Sequence, residues 1–222
     1  MASTTRPRLL AKPQANPEPE LNRREAFQAA ASDLDATFVA GKLRSGDQVH
    51  LQHGPWRVIL ATCVVNHGQN PLTYTRARAF YVAREDFTLR VSRRNVFTPM
   101  AEIFGFHGLQ IGDQEFERKY TIKSSNEPRG RSLMTDWPLR ELIMGQPSLR
   151  LEIRRLPWGK RKKTGDGVRA VVVQTMGVIR EPDRLVDYVR LVVGTLDRLL
   201  KIGGAYDEPV VEGRSYALPR RA

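Results

Sequence analysis

LRLEIRR-LPWGKRKKTGDG-VRAVVVQTMGV, residues 149–178, is the stretch that decides the fold predicted from this sequence. Residues 149–153 and 168–173 are runs dominated by Leu, Ile and Val, as in the strands of a sheet. The segment between them contains three glycines, one proline, one tryptophan and four consecutive cations. Two strand-like runs joined by residues of this kind predict a long β-hairpin with a basic, partly aromatic tip.

The positive charge of the chain is concentrated on this hairpin. The 222 residues include 36 Lys and Arg against 24 Asp and Glu, which gives a formal net charge of +12. Eight of the cations and only two of the acids lie between Arg150 and Arg169, so half of the net charge belongs to the hairpin. Such a patch raises the concentration of anionic partners around a protein, although a single charge run is also typical of a solvated loop.

The hairpin tip, residues 154–163, is therefore the candidate binding site for a polyanion. Its cations would contact phosphates, and its tryptophan would stack on a base or a sugar. The residues of this candidate site are Arg154, Arg155, Trp158, Lys160, Arg161, Lys162 and Lys163.

Strand patterns fill the region before the hairpin. Residues 48–52, 56–65, 72–82 and 87–93 have alternating or continuous apolar positions, and Gly, Pro and Asn separate the first three runs. These runs predict an antiparallel meander. The run 56–65 is apolar on both faces, which predicts a central strand covered on both sides, with Cys63 buried as a small hydrophobe.

A second basic surface is a further possibility. Alternation turns Arg76 and Arg78 to one face of their strand and turns Arg90 outward from a later one. If these strands are neighbours, their cations form a common face, although outward Arg is also what solubility requires of a one-sided sheet. The residues of this secondary basic face are Arg76, Arg78, Arg90, Arg93 and Arg94.

Helical periodicity marks the segments that are expected to cover the sheet. Residues 21–34 and 185–202 carry amphipathic stripes, and residues 126–135 and 138–144 indicate two short helices. Residues 96–106 predict a short aromatic helix, with an interfacial membrane anchor as the alternative. The predicted fold class is α+β: an antiparallel β-meander packed by helices, with a long basic-tipped β-hairpin and a C-terminal amphipathic helix.

Composition divides the chain into a folded region and two tails. Residues 1–20 are rich in Pro, Asn and charge, which predicts a disordered N-terminal tail. Residues 21–204 are expected to form a single α+β domain, with two subdomains, 21–106 and 107–204, as the alternative. Residues 205–222 return to a tail-like composition and predict a C-terminal tail.

The sequence lacks the common motifs of catalysis, cofactor binding and metal binding. Phosphate-loop, dinucleotide-binding and nucleophile-elbow patterns are missing, and the four histidines are scattered. Asp113, Glu115 and Glu117 are the densest carboxylates, but neighbouring cations favour ion pairing over acid–base chemistry. These observations predict a non-enzymatic protein with no cofactor and no metal. A lone cysteine and the lack of a secretory or membrane-spanning run make a cytoplasmic location the expectation.

Several segments outside the basic tip form a recognisable combination. They are Phe116-x-x-x-Tyr120-Thr-Ile-Lys-Ser-Ser-Asn126, residues 149–153 and 177–179, and a Leu-rich terminal helix ending near residue 205. Together they resemble a family of uncharacterised bacterial proteins, a domain of unknown function, over about residues 21–207. The resemblance implies a shared fold and brings no activity. Relatives with a less basic tip would make residues 160–163 a specialisation of this chain.

Two classes of function remain open, and both are binding functions. The first is a basic binding module that contacts nucleic acid or an acidic protein assembly through residues 154–163. The second is a structural or accessory subunit of a larger protein assembly with no nucleic-acid contact. Peripheral binding to an anionic membrane is a third hypothesis, since aromatic residues 97–106 follow two cations. The oligomeric state is left open.

Overall fold

The computed structural model describes residues 21–41, 46–67, 70–94 and 108–218. Its centre is an eight-stranded sheet in the order β1-β2-β3-β4-β8-β7-β5-β6, with every neighbouring pair antiparallel. The strands are β1 (Thr37–Val39), β2 (Gln48–His53), β3 (Trp56–His67), β4 (Asn70–Val82), β5 (Leu89–Arg93), β6 (Tyr120–Ser124), β7 (Arg150–Arg155) and β8 (Val168–Met176).

Six helices belong to the described ranges. They are α1 (Arg23–Asp33), α2 (Gln114–Lys119), α3 (Glu127–Met134), α4 (Trp137–Met144), α5 (Trp158–Thr164) and α6 (Pro182–Lys201). The predicted α+β class, with its basic-tipped hairpin and C-terminal helix, is confirmed.

One face of the sheet is covered by helices. The long helix α6 packs on β3, β4 and β8, while α1 and α4 pack against α6 itself. The apolar stripe of α6 is buried, with Leu185, Val192 and Leu196 fully inaccessible to solvent. Local signals set the helix starts, since the side chains of Asn22, Asn126 and Asp136 each accept a backbone N–H of their first turn. The main core therefore lies between the sheet and α6.

The predicted hairpin lies inside the sheet and joins its two halves. β7 and β8 pair from Arg150 opposite Gln174 to Arg155 opposite Arg169, and the other edge of β8 pairs with β4. The connection is the short helix α5 followed by Gly165, whose φ of +78° is the left-handed conformation that glycine tolerates best. The tip is thus a helix and a turn, where Pro, Trp and Gly had indicated a reversing loop.

The predicted meander is correct for three strands and wrong for the fourth. β2, β3 and β4 are consecutive antiparallel neighbours, but β5 pairs with β6 and β7 instead of β4. Strands β8 and β7 lie between β4 and β5. Alternation of side chains determines which face of a strand is buried, and it carries no information about which strand lies alongside.

A C-terminal strap, residues 205–218, packs on the side of the sheet opposite α6. Tyr216 is buried there in a small cluster with Leu156, Val168 and Val172. Composition had assigned this segment to a tail. Its backbone is held at α5 and the following turn, because the Tyr216 N–H donates to the Thr164 carbonyl (2.8 Å) and the Gly167 N–H donates to the Tyr216 carbonyl (2.7 Å).

Two predictions concern residues that the structure does not describe, and two others differ from what it shows. The predicted tail at 1–20 and the predicted aromatic helix at 96–106, with its membrane-anchor alternative, lie outside the described residues. Cys63 is half-buried, not fully buried. Within the described ranges no helix covers the outer side of β3, so the expected double coverage of this strand is not seen.

Candidate functional site

The side of the sheet opposite α6, here called the open face, is covered in part by the strap and is otherwise rich in cations. Directly paired residues of antiparallel strands lie on the same face, so the register identifies the members of this surface. One row across five strands is Arg78, Val172, Glu152, Arg90 and Lys123. The outward strand cations are Arg57, Arg76, Arg78, Arg90, Lys123, Arg150 and Arg154.

Glu152 is the only acidic residue in any of the eight described strands. Its side chain is 5% exposed, and its two carboxylate oxygens contact Arg90 Nε at 2.9 Å and Arg154 Nη1 at 3.5 Å. The guanidinium groups of Arg90 and Arg154 remain 53% and 42% exposed. Glu152 therefore orients two guanidinium groups from beneath without neutralising the surface.

The electrostatics of Arg154 reflect this crowding of like charges. Partial burial lowers the pKa of its guanidinium, and the positive charges of Arg76, Arg78 and Arg90 lower the pKa further, against an opposing effect of Glu152. A cation in such surroundings gains stability when an anion approaches. The open face is consequently arranged to favour a negatively charged ligand.

Helix α5 extends the open face at one end. The ammonium group of Lys160 lies 5.1 Å from the centre of the Phe80 ring, and the guanidinium carbon of Arg78 lies 5.8 Å from the same ring. Desolvation lowers the pKa of Lys160, and the nearby charge of Arg78 adds to this effect. Through Phe80, the predicted tip site and part of the predicted secondary basic face come together.

The other residues of the tip lie along α5. Trp158 is 70% exposed, and the Lys162 ammonium group lies 5.6 Å from its ring centre. Arg161 pairs with Asp166 at 3.1 Å, and Lys163 is exposed. The tip thus presents an accessible aromatic ring between cations.

Two residues predicted for the basic sites, Arg155 and Arg93, lie elsewhere. Arg155 sits opposite Arg169 in the hairpin, on the helix-covered side of the sheet, and both guanidinium groups bind Asp86. Arg93 also points away from the open face and donates to the Pro147 carbonyl. Arg94 follows β5 and takes no strand position. The positions of Arg155 and Arg93 differ from the predicted sets because alternation turns every second residue of a strand to the other face.

Sequence reasoning missed several residues of the open face. Arg57, Lys123 and Arg150 belong to it, and Phe80 links it to α5. Their alternation was visible in the sequence, but their common surface depends on strand order. Strand order was the missing information.

A cleft of about 380 Å³ lies at one corner of the open face, where β5, β6 and β7 meet. Arg90, Lys123 and Arg154 supply its cations, Glu152 lies at its base, and Thr88 and Ser125 supply hydroxyl groups; Leu89, Ser124 and Ile153 complete the lining. The Thr88 N–H donates to Ser125 Oγ at 2.9 Å, and the Ser125 N–H donates to the Thr88 carbonyl at 3.0 Å. These bonds join two segments that line the cleft.

The densest carboxylates have structural partners. Asp113 caps α2 and pairs with Arg140 at 2.9 Å, Glu115 pairs with Lys119, and Glu117 accepts two backbone N–H groups. Across the described ranges, no three His, Cys, Asp or Glu side chains are grouped in a way that could hold a metal ion. None of the helices in that part of the chain combines the length and apolar character needed to cross a bilayer.

Comparison of the sequence with protein-family models, curated proteins and solved structures found no match. The resemblance to a bacterial family of unknown function therefore stays a prediction. The open face and α5 are the features from which a function is argued.

Proposed function

We propose that the protein is a non-enzymatic nucleic-acid binder that uses its open face together with α5. The observation that carries the proposal is the position of Lys160 beside Arg78 over the ring of Phe80. It brings a cation of the hairpin tip beside a cation of the sheet, which supports a binding surface that both groups share.

The chemistry of this surface suits phosphate groups. Six of the seven outward strand cations are Arg, whose planar guanidinium can donate two parallel hydrogen bonds to a phosphate. The row from Arg78 to Lys123 crosses four strand spacings, or roughly 19 Å at about 4.8 Å each. One strand of DNA carries one charge per about 3.4 Å of helix axis, so this surface is wide enough to contact several phosphates.

The aromatic residue of the tip favours nucleic acid over an acidic peptide. Trp158 is largely exposed and flanked by lysines along α5. A base can stack on such a ring while the adjoining phosphates meet the cations, and an acidic peptide offers no comparable flat partner. A single strand with unpaired bases is the form that can use both features.

The test is the salt dependence of binding to single-stranded oligonucleotides, measured by fluorescence anisotropy. For roughly five phosphate contacts, the logarithm of the association constant falls against the logarithm of salt concentration with a slope near −3.5. The variant R76Q/R78Q removes two open-face cations, so its slope should be shallower by about 1.4 and its binding weaker at low salt.

The matched control is R118Q/K201Q, which removes two exposed cations from α2 and α6, away from the open face. It carries the same net charge as R76Q/R78Q. Equal slopes for the two variants would mean that net charge alone attracts the ligand, and the proposal would fail. Binding to anionic vesicles without binding to oligonucleotides would favour a membrane function instead.

A further inference from the structure

The cleft at the corner of the open face differs from the rest of that surface. Elsewhere the cations lie on the broad surface of the sheet, whereas here three of them line a recess of about 380 Å³. Recesses of roughly 300–1,000 Å³ are typical of sites that take a discrete small group. The cleft therefore has the volume of a site for a small ligand or for one part of a larger one.

The charge of the cleft matches a doubly charged anion. Arg90, Lys123 and Arg154 contribute three positive charges, and Glu152 contributes one negative charge, which leaves a net charge of +2. A phosphate monoester carries about −1.5 to −2 at pH 7 and has three strong acceptor oxygens. A phosphodiester inside a strand carries only one negative charge. The balance thus favours a terminal phosphate over an internal one.

The donors of the cleft are arranged for such a group. Glu152 engages Arg90 through Nε, and the Arg90 side chain, which lines the cleft, stays 53% exposed. Thr88 and Ser125 also line the cleft, and the Ser125 hydroxyl accepts the Thr88 N–H at 2.9 Å. Charged N–H donors and hydroxyl groups together can satisfy several oxygens of one tetrahedral anion.

The position of the cleft, at the border of the sheet, also suits the end of a nucleic-acid strand. Among the described residues β6 is the last strand of the sheet, so the described part of the open face ends beside Lys123. We infer that the cleft binds the terminal phosphate of a nucleic-acid strand that lies across the open face. This inference rests on the proposed function and adds to it a preference for phosphorylated ends.

The experiment compares three oligonucleotides of one sequence, carrying a 5′-phosphate, a 3′-phosphate or only hydroxyl ends, with the label placed internally. One of the phosphorylated forms should bind about 10-fold more tightly than the hydroxyl form, because charge-assisted hydrogen bonds to the extra charge are expected to contribute about one decade of affinity. The two phosphorylated forms distinguish which end is recognised.

Two variants locate the effect. K123Q should abolish the preference for a phosphorylated end, and it should weaken binding of the hydroxyl form only about as much as R150Q does, because each variant removes one open-face cation. R150Q removes one charge from the same face of β7 without touching the cleft, and it should keep the preference. Thermal melting of both variants checks that each is folded.

The outcomes separate the inference from the proposed function. Equal affinity for the three oligonucleotides, with binding still sensitive to salt, overturns the terminal-phosphate site and leaves nucleic-acid binding intact. A preference that survives K123Q, or is lost equally in R150Q, also overturns it. Failure of every oligonucleotide to bind overturns both.

Discussion

At the scale of single residues, the most unusual charge is buried and lies outside the candidate site. Arg169 is 1% exposed, and its guanidinium donates to Asp86 Oδ1 at 2.7 Å. Arg155 binds the same carboxylate, so Asp86 holds two cations at the strand pair that adjoins the hairpin tip. A buried cation that loses its anionic partner is strongly destabilising, whereas exposed pairs contribute little.

Replacing Asp86 should therefore destabilise the fold. We expect D86N to lower the free energy of unfolding by on the order of 3 kcal/mol near neutral pH, because Arg169 would remain buried without a counter-charge. The matched control is D166N, whose carboxylate pairs with the partly exposed Arg161 and should matter by less than about 0.5 kcal/mol. Urea denaturation of the two variants measures the difference, and equal stabilities would refute the role assigned to Asp86.

The ion pairs of Asp86 with Arg155 and Arg169 also make the stability of the fold depend on pH. Hydrogen bonding from Arg155, with a further contribution from Arg169, lowers the pKa of Asp86 below its ordinary value despite partial burial. The Asp86 carboxylate therefore takes up a proton less readily in the folded protein than in the unfolded chain. The stabilisation is complete above the unfolded pKa, near 3.9, and is lost as the pH falls through the folded pKa. The deficit of D86N should accordingly shrink in acid.

At the scale of elements, the strap and α5 depend on each other. Gly165 ends α5 with a positive φ, and a Cβ at this position would meet the backbone of Tyr216, with the nitrogen only 2.8 Å away. Tyr216 in turn fills the small cluster beside Leu156 and Val168. The strap is thus held in place by the close approach of its backbone at Tyr216 to the backbone of Gly165.

A methyl group at Gly165 should release the strap. We expect G165A to destabilise the protein by about 1–3 kcal/mol, since the left-handed backbone and the clash with Tyr216 oppose it together. G159A is the control, because Gly159 lies inside α5 with open space around its would-be Cβ and should gain about 0.5–1 kcal/mol. Limited trypsin digestion at Arg214, followed by mass spectrometry, should show faster cleavage in G165A alone. Equal cleavage rates in the two variants would contradict the role of Gly165 in holding the strap.

The strands also show which features of the fold could be predicted from the sequence. Alternation correctly assigned the faces of β4 and β5, so Arg76, Arg78 and Arg90 were expected to point outward. It could not show that β8 and β7 separate these strands, because pairing partners far apart in the chain are set by packing of the whole sheet. The strap was missed for a related reason: its polar composition hides one buried tyrosine, and that residue decides its position.

At the scale of the whole molecule, charge is distributed differently on the two sides. On the helix side, cations are matched by acids, as in the pairs Arg23–Asp47 and Arg140–Asp113. On the open face, seven strand cations share the single strand acid Glu152. Like charges that lack enough counter-charges repel one another and destabilise the folded state. The cations of the open face should therefore lower the stability of the protein, and an anionic ligand would offset that loss. The asymmetry predicts that only one side of the molecule binds.

Two exposed tryptophans on opposite sides of the molecule allow that prediction to be tested. Trp158 of α5 is 70% exposed beside the open face, and Trp137 of α4 is 61% exposed among the helices. Loss of base stacking costs about 1–3 kcal/mol per base, so W158A should bind single strands roughly 5- to 150-fold more weakly. W137A removes a similar exposed ring and should bind like the parent. Equal losses in both variants would show that the ligand does not distinguish the two sides, and an unchanged W158A would leave the cations to act without stacking.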